Sequence, residues 1–145
     1  MTGGRALLVL GVLLGSAAAV QGESAAKLPA LDPTIRTVVS GGMWERATGV
    51  GTFRIVVQNV GWEHTRSLVQ VQWLASDEAT QKVRIAAAVA VPELNEATWA
   101  NIDSIRFLPG PGSRVEILYL VHGEGPQLRM VLALGAPGSY TVEKP

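Results

Sequence analysis

After residue 34 the chain is a succession of short apolar, β-branched runs separated by clusters of glycine and proline. The runs are Ile35–Val39, Thr52–Val60, Ser67–Ala75, Val83–Val91, Ile105–Leu108, Arg114–Val121, Gln127–Leu134 and Tyr140–Val142. Between them stand Gly41-Gly42, Gly49-Val50-Gly51, Pro109-Gly110-Pro111-Gly112, Gly123-Glu124-Gly125-Pro126 and Gly135-Ala136-Pro137-Gly138. Glycine opens positive φ and proline fixes φ, so such clusters interrupt a ladder and turn the chain. Many short strands at this spacing predict an all-β fold: an antiparallel sandwich of seven or eight strands, with an open barrel as the alternative.

Period-two patterning within the runs agrees. Leu128, Met130, Leu132 and Leu134 share a face, as do Val69, Val71 and Trp73, with Gln70 and Gln72 opposite. Gln58, Gln70 and Gln72 read as solvated residues of an outer face, or as the lining of a polar groove. Val115, Ile117, Tyr119 and Val121 alternate with Leu118 and Leu120, so that strand is apolar on both sides. Such a strand is central and covered on both faces, or it presents Leu118 and Leu120 to a partner. Ala86-Ala87-Ala88 favours helix by propensity, but Val83, Ile85, Val89 and Val91 alternate as a strand does. Pro92 is a good first-turn residue, so Glu93–Asn101 is expected to hold one or two helical turns. Trp44-Glu45-Arg46 reads as the opening of the first hairpin loop, with Arg46 able to stack on Trp44.

Residues 1–22 read as a secretory signal peptide. Arg5 supplies the positive start, Ala6 to Leu14 a short apolar core, and Gly15 to Ala19 small residues before a cut after Ala19 or Gly22. The alternative, a membrane anchor, is disfavoured because the stretch ends at Val20 and falls short of the roughly 20 apolar residues a span needs. Residues 23–34, with Pro29 and Pro33, read as an extended tether, and residues 35–145 as one domain. The chain has no cysteine, which excludes disulfides, thiolate zinc sites and thiol catalysis. Asn59, Asn95 and Asn101 all fail the Asn-x-Ser/Thr pattern. A cysteine-free exported domain fits a bacterial envelope, periplasmic or extracellular.

Function is bounded mainly by exclusion. Twelve basic and twelve acidic side chains give no net charge, which argues against a nucleic-acid partner. There is no phosphate-binding loop, no Gly-x-Ser-x-Gly elbow and no His-Glu-x-x-His. A Ser67, His64 and Asp103 set can be assembled on paper, as in any chain of this length, so no catalytic residue and no cofactor is assigned.

One constellation emerges from strand parity. If successive strands are antiparallel, loops 61–66, 92–104 and 122–126 fall at one end. That end then gathers both histidines, two of the four tryptophans and several carboxylates: Trp62-Glu63-His64, Glu93 to Trp99, and His122-Gly123-Glu124. Three readings follow. Trp62 and Trp99 plug the end of the core. Or Trp62, His64, Trp99 and His122 form a recognition patch for a protein, a glycan or another envelope partner. Or His64, His122 and Glu124 hold a metal in a periplasmic metal-binding or small hydrolytic protein. The expectation carried forward is a non-catalytic exported binding module using Trp62, His64, Trp99 and His122. A structural oligomer built on Leu118 and Leu120 is a further alternative.

Overall fold

The structure, a computed structural model, describes residues 30–77, 79–96 and 99–143. The expected signal peptide and most of the expected tether lie outside the described residues. From Leu31 onward the chain forms two four-stranded antiparallel sheets. The first holds β1 (Ile35–Arg46), β2 (Gly49–Val60), β3 (Arg66–Asp77) and β4 (Lys82–Ala90) in that order. The helix α1 (Pro92–Asn95) follows. The second sheet holds β5 (Ala100–Leu108), β6 (Ser113–Val121), β7 (Glu124–Leu134) and β8 (Tyr140–Glu143), again in chain order. The protein is a β-sandwich in which each sheet is a meander. Among the described residues no helix is long and apolar enough to cross a membrane.

The core lies between the sheets and comes from the period-two faces. Phe53, Ile55, Val57, Val69, Val71 and Trp73 face Ile102, Val115, Ile117 and Leu132, all buried. Trp73 packs edge-on against Phe53 with ring centroids 5.9 Å apart. Its indole Nε1 donates to the Gly135 carbonyl at 3.1 Å, so one large side chain joins the two sheets.

The expected runs are all strands, but several are longer than the glycine clusters suggested. β1 continues through Gly41-Gly42 by means of a bulge between Gly41 and Trp44. The first hairpin loop, expected to open at Trp44-Glu45-Arg46, is therefore a tight connection at Ala47-Thr48, with Glu45 paired to Val50 and Arg46 to Gly49. Trp44 is not at a loop opening: it is buried, and Arg46 donates to the Glu45 carbonyl. Gly51 makes this closure possible, because a Cβ there would lie 1.7 Å from the Leu74 carbonyl oxygen and 3.0 Å from the Trp44 ring. β7 likewise begins at Glu124 and absorbs Gly125-Pro126 in an irregular pairing with β6. Glycine and proline act here as bulge residues, which interrupt a ladder locally without ending the strand.

Edge strands carry irregularities too. β1 bulges at Arg36, whose guanidinium donates to the Ile102 carbonyl of the other sheet at 2.9 Å. β4 bulges near Ala86 and β5 near Asp103. Bulged edges twist away from pairing with a further strand.

The two outer faces differ. On the first sheet, Gln72 is buried, accepts from Arg54 Nε at 2.7 Å and donates to Gln70. On the second, Glu116 is buried and takes Arg106 and Arg129, one on each carboxylate oxygen, at 2.5 Å. Those two guanidinium hydrogen bonds hold its carboxyl below the usual range. Leu118 and Leu120 share this outer face and are half-buried. β6 is thus central in its sheet, between β5 and β7, but it is not covered on both faces as one of the two expectations had it. Its outward leucines share their face with the Arg–Glu cluster; no second layer of strands or helices lies over them among the described residues.

Candidate functional site

Three connections meet at one end of the sandwich: residues 61–65 between β2 and β3, the approach to β5 at Trp99, and the His122-Gly123 turn between β6 and β7. Together they line an open cavity of about 620 Å³ formed by Glu63, His64, Thr65, Trp99, Asn101, His122 and Gly123. That volume is within the roughly 300–1,000 Å³ that small-molecule sites occupy.

Each wall has a local cause. The 61–65 loop turns at Gly61, whose φ of 103° is left-handed and whose Cβ, if present, would lie 2.5 Å from the His64 carbonyl oxygen. The β6–β7 turn has two residues with positive φ, 55° at His122 and 72° at Gly123, between the paired Val121 and Glu124. A two-residue hairpin of this type favours Asn or Gly at both positions. A histidine at the first costs on the order of 1 kcal/mol of backbone strain. The His122 N–H donates to the Trp99 carbonyl at 2.8 Å, which fixes the start of β5 against the hairpin.

Asn101 ties the pocket together. Its side-chain amide, oriented to satisfy both neighbours, donates to the Thr65 carbonyl at 3.1 Å and accepts from the Gly123 N–H at 3.0 Å. One amide thus bridges a loop of the first sheet and a hairpin of the second. Behind it, the buried Ser67 hydroxyl accepts from Ile102 N–H at 3.2 Å and donates to Asn59 at 3.1 Å. The Asn95 amide serves as a strand partner for Val69, accepting from its N–H at 2.7 Å and donating to its carbonyl at 3.0 Å. Arg66 donates to the Asn95 carbonyl, so α1 is held to β3.

Trp99 is the pocket's aromatic surface. It is 43% exposed, and both imidazoles lie against it: His64 at 6.1 Å and His122 at 5.8 Å between ring centroids, tilted by 47° and 39°.

The structure therefore brings together His64, Trp99 and His122. Trp62 is in the same loop, but it is 96% exposed and does not line the cavity. Neither tryptophan belongs to the buried core, which in this part of the chain is supplied by Val91, Leu94 and Ala100. Glu124 opens β7 and is not part of the lining, and Glu93 accepts a hydrogen bond from the Tyr140 hydroxyl at 2.7 Å. Among the described residues no group of three or more histidines and carboxylates is gathered as a metal site would require. The paper set of Ser67, His64 and Asp103 is not assembled: Ser67 is buried on Asn59 and Ile102, and Asp103 accepts from Gln127. Asn101 and Thr65 were not singled out from sequence. Asn101 is two residues from Trp99, near the start of β5, but nothing in the spacing marks its two partners.

No protein-family model, curated protein or solved structure matches the chain.

Proposed function

We propose that the protein is an exported, non-catalytic binding module that recognises a component of the cell envelope through this end pocket. The observation that carries the reading is the exposed indole of Trp99, held between two loops of opposite sheets with His64 and His122 against it. Large aromatics of a sandwich are normally buried. One kept at the surface, in a cavity with hydrogen-bonding neighbours, has the composition of a recognition site. The leader-like residues 1–22 support export, and for an exported domain the missing cysteines fit a bacterial envelope.

The test is crosslinking and capture in the native envelope, with wild type beside a Trp62/His64/Trp99/His122 quadruple alanine variant. Wild type is expected to capture a component that the folded variant loses. A folded variant that keeps every wild-type partner overturns the site.

A further inference from the structure

We propose that the pocket takes the ring of an uncharged sugar, a residue of an envelope glycan, stacked on Trp99 with its hydroxyls toward His64, His122, Glu63 and Thr65. This rests on the reading of the end pocket as a recognition site and names its ligand class.

Among the described residues the cavity is lined by one indole, and the other side chains of the lining are polar. An indole face attracts flat apolar surface. A sugar ring with equatorial hydroxyls has such a surface, because its axial C–H groups line its two faces while its hydroxyls project around the rim.

The rim of the cavity matches that edge. Glu63 offers acceptors, the Thr65 hydroxyl donates and accepts, and a neutral imidazole has one donor and one acceptor nitrogen. A hydroxyl also does both, so this mixture suits a ring of hydroxyls better than a ligand carrying one sign of charge. Asn101 is not free for the ligand, since its amide is committed to Thr65 and Gly123.

Other ligand classes fit less well. A nucleotide would stack equally, but its phosphate needs a cation, and among the described residues of the lining the fixed charge is the carboxylate of Glu63. The neighbouring Arg66 is turned to the Asn95 carbonyl. A metal ion lacks a third ligating side chain among the described residues. A buried apolar peptide anchor would call for a deep greasy pocket, whereas this one is open and mixed.

The hairpin adds an independent pointer. His122 occupies a left-handed position where Gly or Asn is the unstrained choice. Its imidazole is among the groups lining the cavity and lies against Trp99. A strained residue whose side chain is in a pocket is a pointer to function.

The experiment titrates the purified protein with methyl β-glucoside, methyl N-acetyl-β-glucosaminide and their linear oligomers, up to about 10 mM. Binding is read by calorimetry and by ligand-observed NMR. Wild type should bind at least one series, the oligomers more tightly than the monosaccharide glycosides. Trp99→Ala should weaken binding by about tenfold or more, the loss that a central tryptophan commonly carries. Trp99→Phe should restore part of it, and His122→Gly, which keeps the turn, should weaken it without lowering stability. Near-ultraviolet dichroism establishes that each variant is folded.

If no sugar binds, yet capture of an envelope protein still depends on Trp99, the carbohydrate inference fails and the recognition pocket stands. Sugar binding indifferent to Trp99 overturns the site assignment. If no sugar binds and capture is also indifferent to the pocket variants, both readings fall.

Discussion

The two ends of the sandwich treat tryptophan in opposite ways. At the β1–β2 hairpin, Trp44 is 4% exposed and closed over by a backbone that only Gly51 permits. At the other end Trp99 is left open, with polar side chains around it. The hairpin end has committed its aromatic surface to folding. The pocket end has positioned an aromatic by hydrogen bonds, from His122 N–H and through Asn101, while leaving its face uncovered. Burial contributes stability in proportion to the apolar area removed from water. An indole left 43% exposed makes only part of that contribution on folding and retains the rest for a ligand. The difference separates residues that hold the fold from residues that serve the surface.

The largest expected effect is on the folding side. Trp73, fully buried and hydrogen-bonded to the opposite sheet, belongs with Trp44. Trp73→Ala should destabilise the domain by about 3–5 kcal/mol, measured by urea unfolding. Trp99→Ala in the same assay should cost much less. If the two cost the same, Trp99 is a core residue and the distinction collapses.

Much of this arrangement was legible in the sequence. Alternation put Val69, Val71 and Trp73 on one face and Val115 and Ile117 on another, which are the inward faces, and the Gly/Pro clusters separated the eight runs that became strands. Parity brought residues 61–65, Trp99 and His122 to one end, because a pair of meanders obeys that rule at every turn. Less legible was what glycine does locally. Gly41-Gly42 and Gly125 read as breaks, but bulges carry the strands across them, since a glycine signal is the same for a bulge and a turn. The burial of Trp44, the exposure of Trp62 and the bridge through Asn101 depend on three-dimensional neighbours that no spacing encodes.

Asn101 gives the next effect in size. It belongs to the pocket end yet has a structural task, so it tests whether positioning and recognition separate. Asn101→Ala removes two hydrogen bonds and should cost about 1–2 kcal/mol in the same unfolding assay. Ligand capture should fall as well, because the 61–65 loop and the His122 hairpin lose their shared anchor. A variant that loses stability but keeps full capture would show that the pocket needs no such tie.

A smaller effect belongs to the scaffold and appears only at alkaline pH. Burial, with the hydrogen bond to the Glu93 carboxylate, pushes the Tyr140 phenol above its ordinary value of 10.0. A raised folded-state value stabilises the protonated form, so this contribution is complete below pH 10.0 and declines as pH rises from there toward the folded value. Thermal midpoints should therefore fall above about pH 10, and Tyr140→Phe should flatten that part of the profile. An unchanged profile in the phenylalanine variant would mean that another group sets the alkaline limit.

Trp62 should have the smallest effect on folding and sharpens the comparison most. It is the most exposed of the tryptophans, on the same loop as His64 yet outside the cavity lining. Surface substitutions without buried contacts usually change stability by less than about 0.5 kcal/mol, so Trp62→Ala should leave the unfolding curve in place. Its effect on binding should depend on ligand length. A ligand confined to the cavity would not sense the change, whereas a longer one reaching past Glu63 along the loop would bind less tightly. Measuring one short and one long ligand on this single variant therefore separates an open indole that only Trp99 supplies from a surface that extends across both tryptophans. Loss of stability in Trp62→Ala would break the division altogether, because it would make a 96% exposed side chain part of what holds the fold.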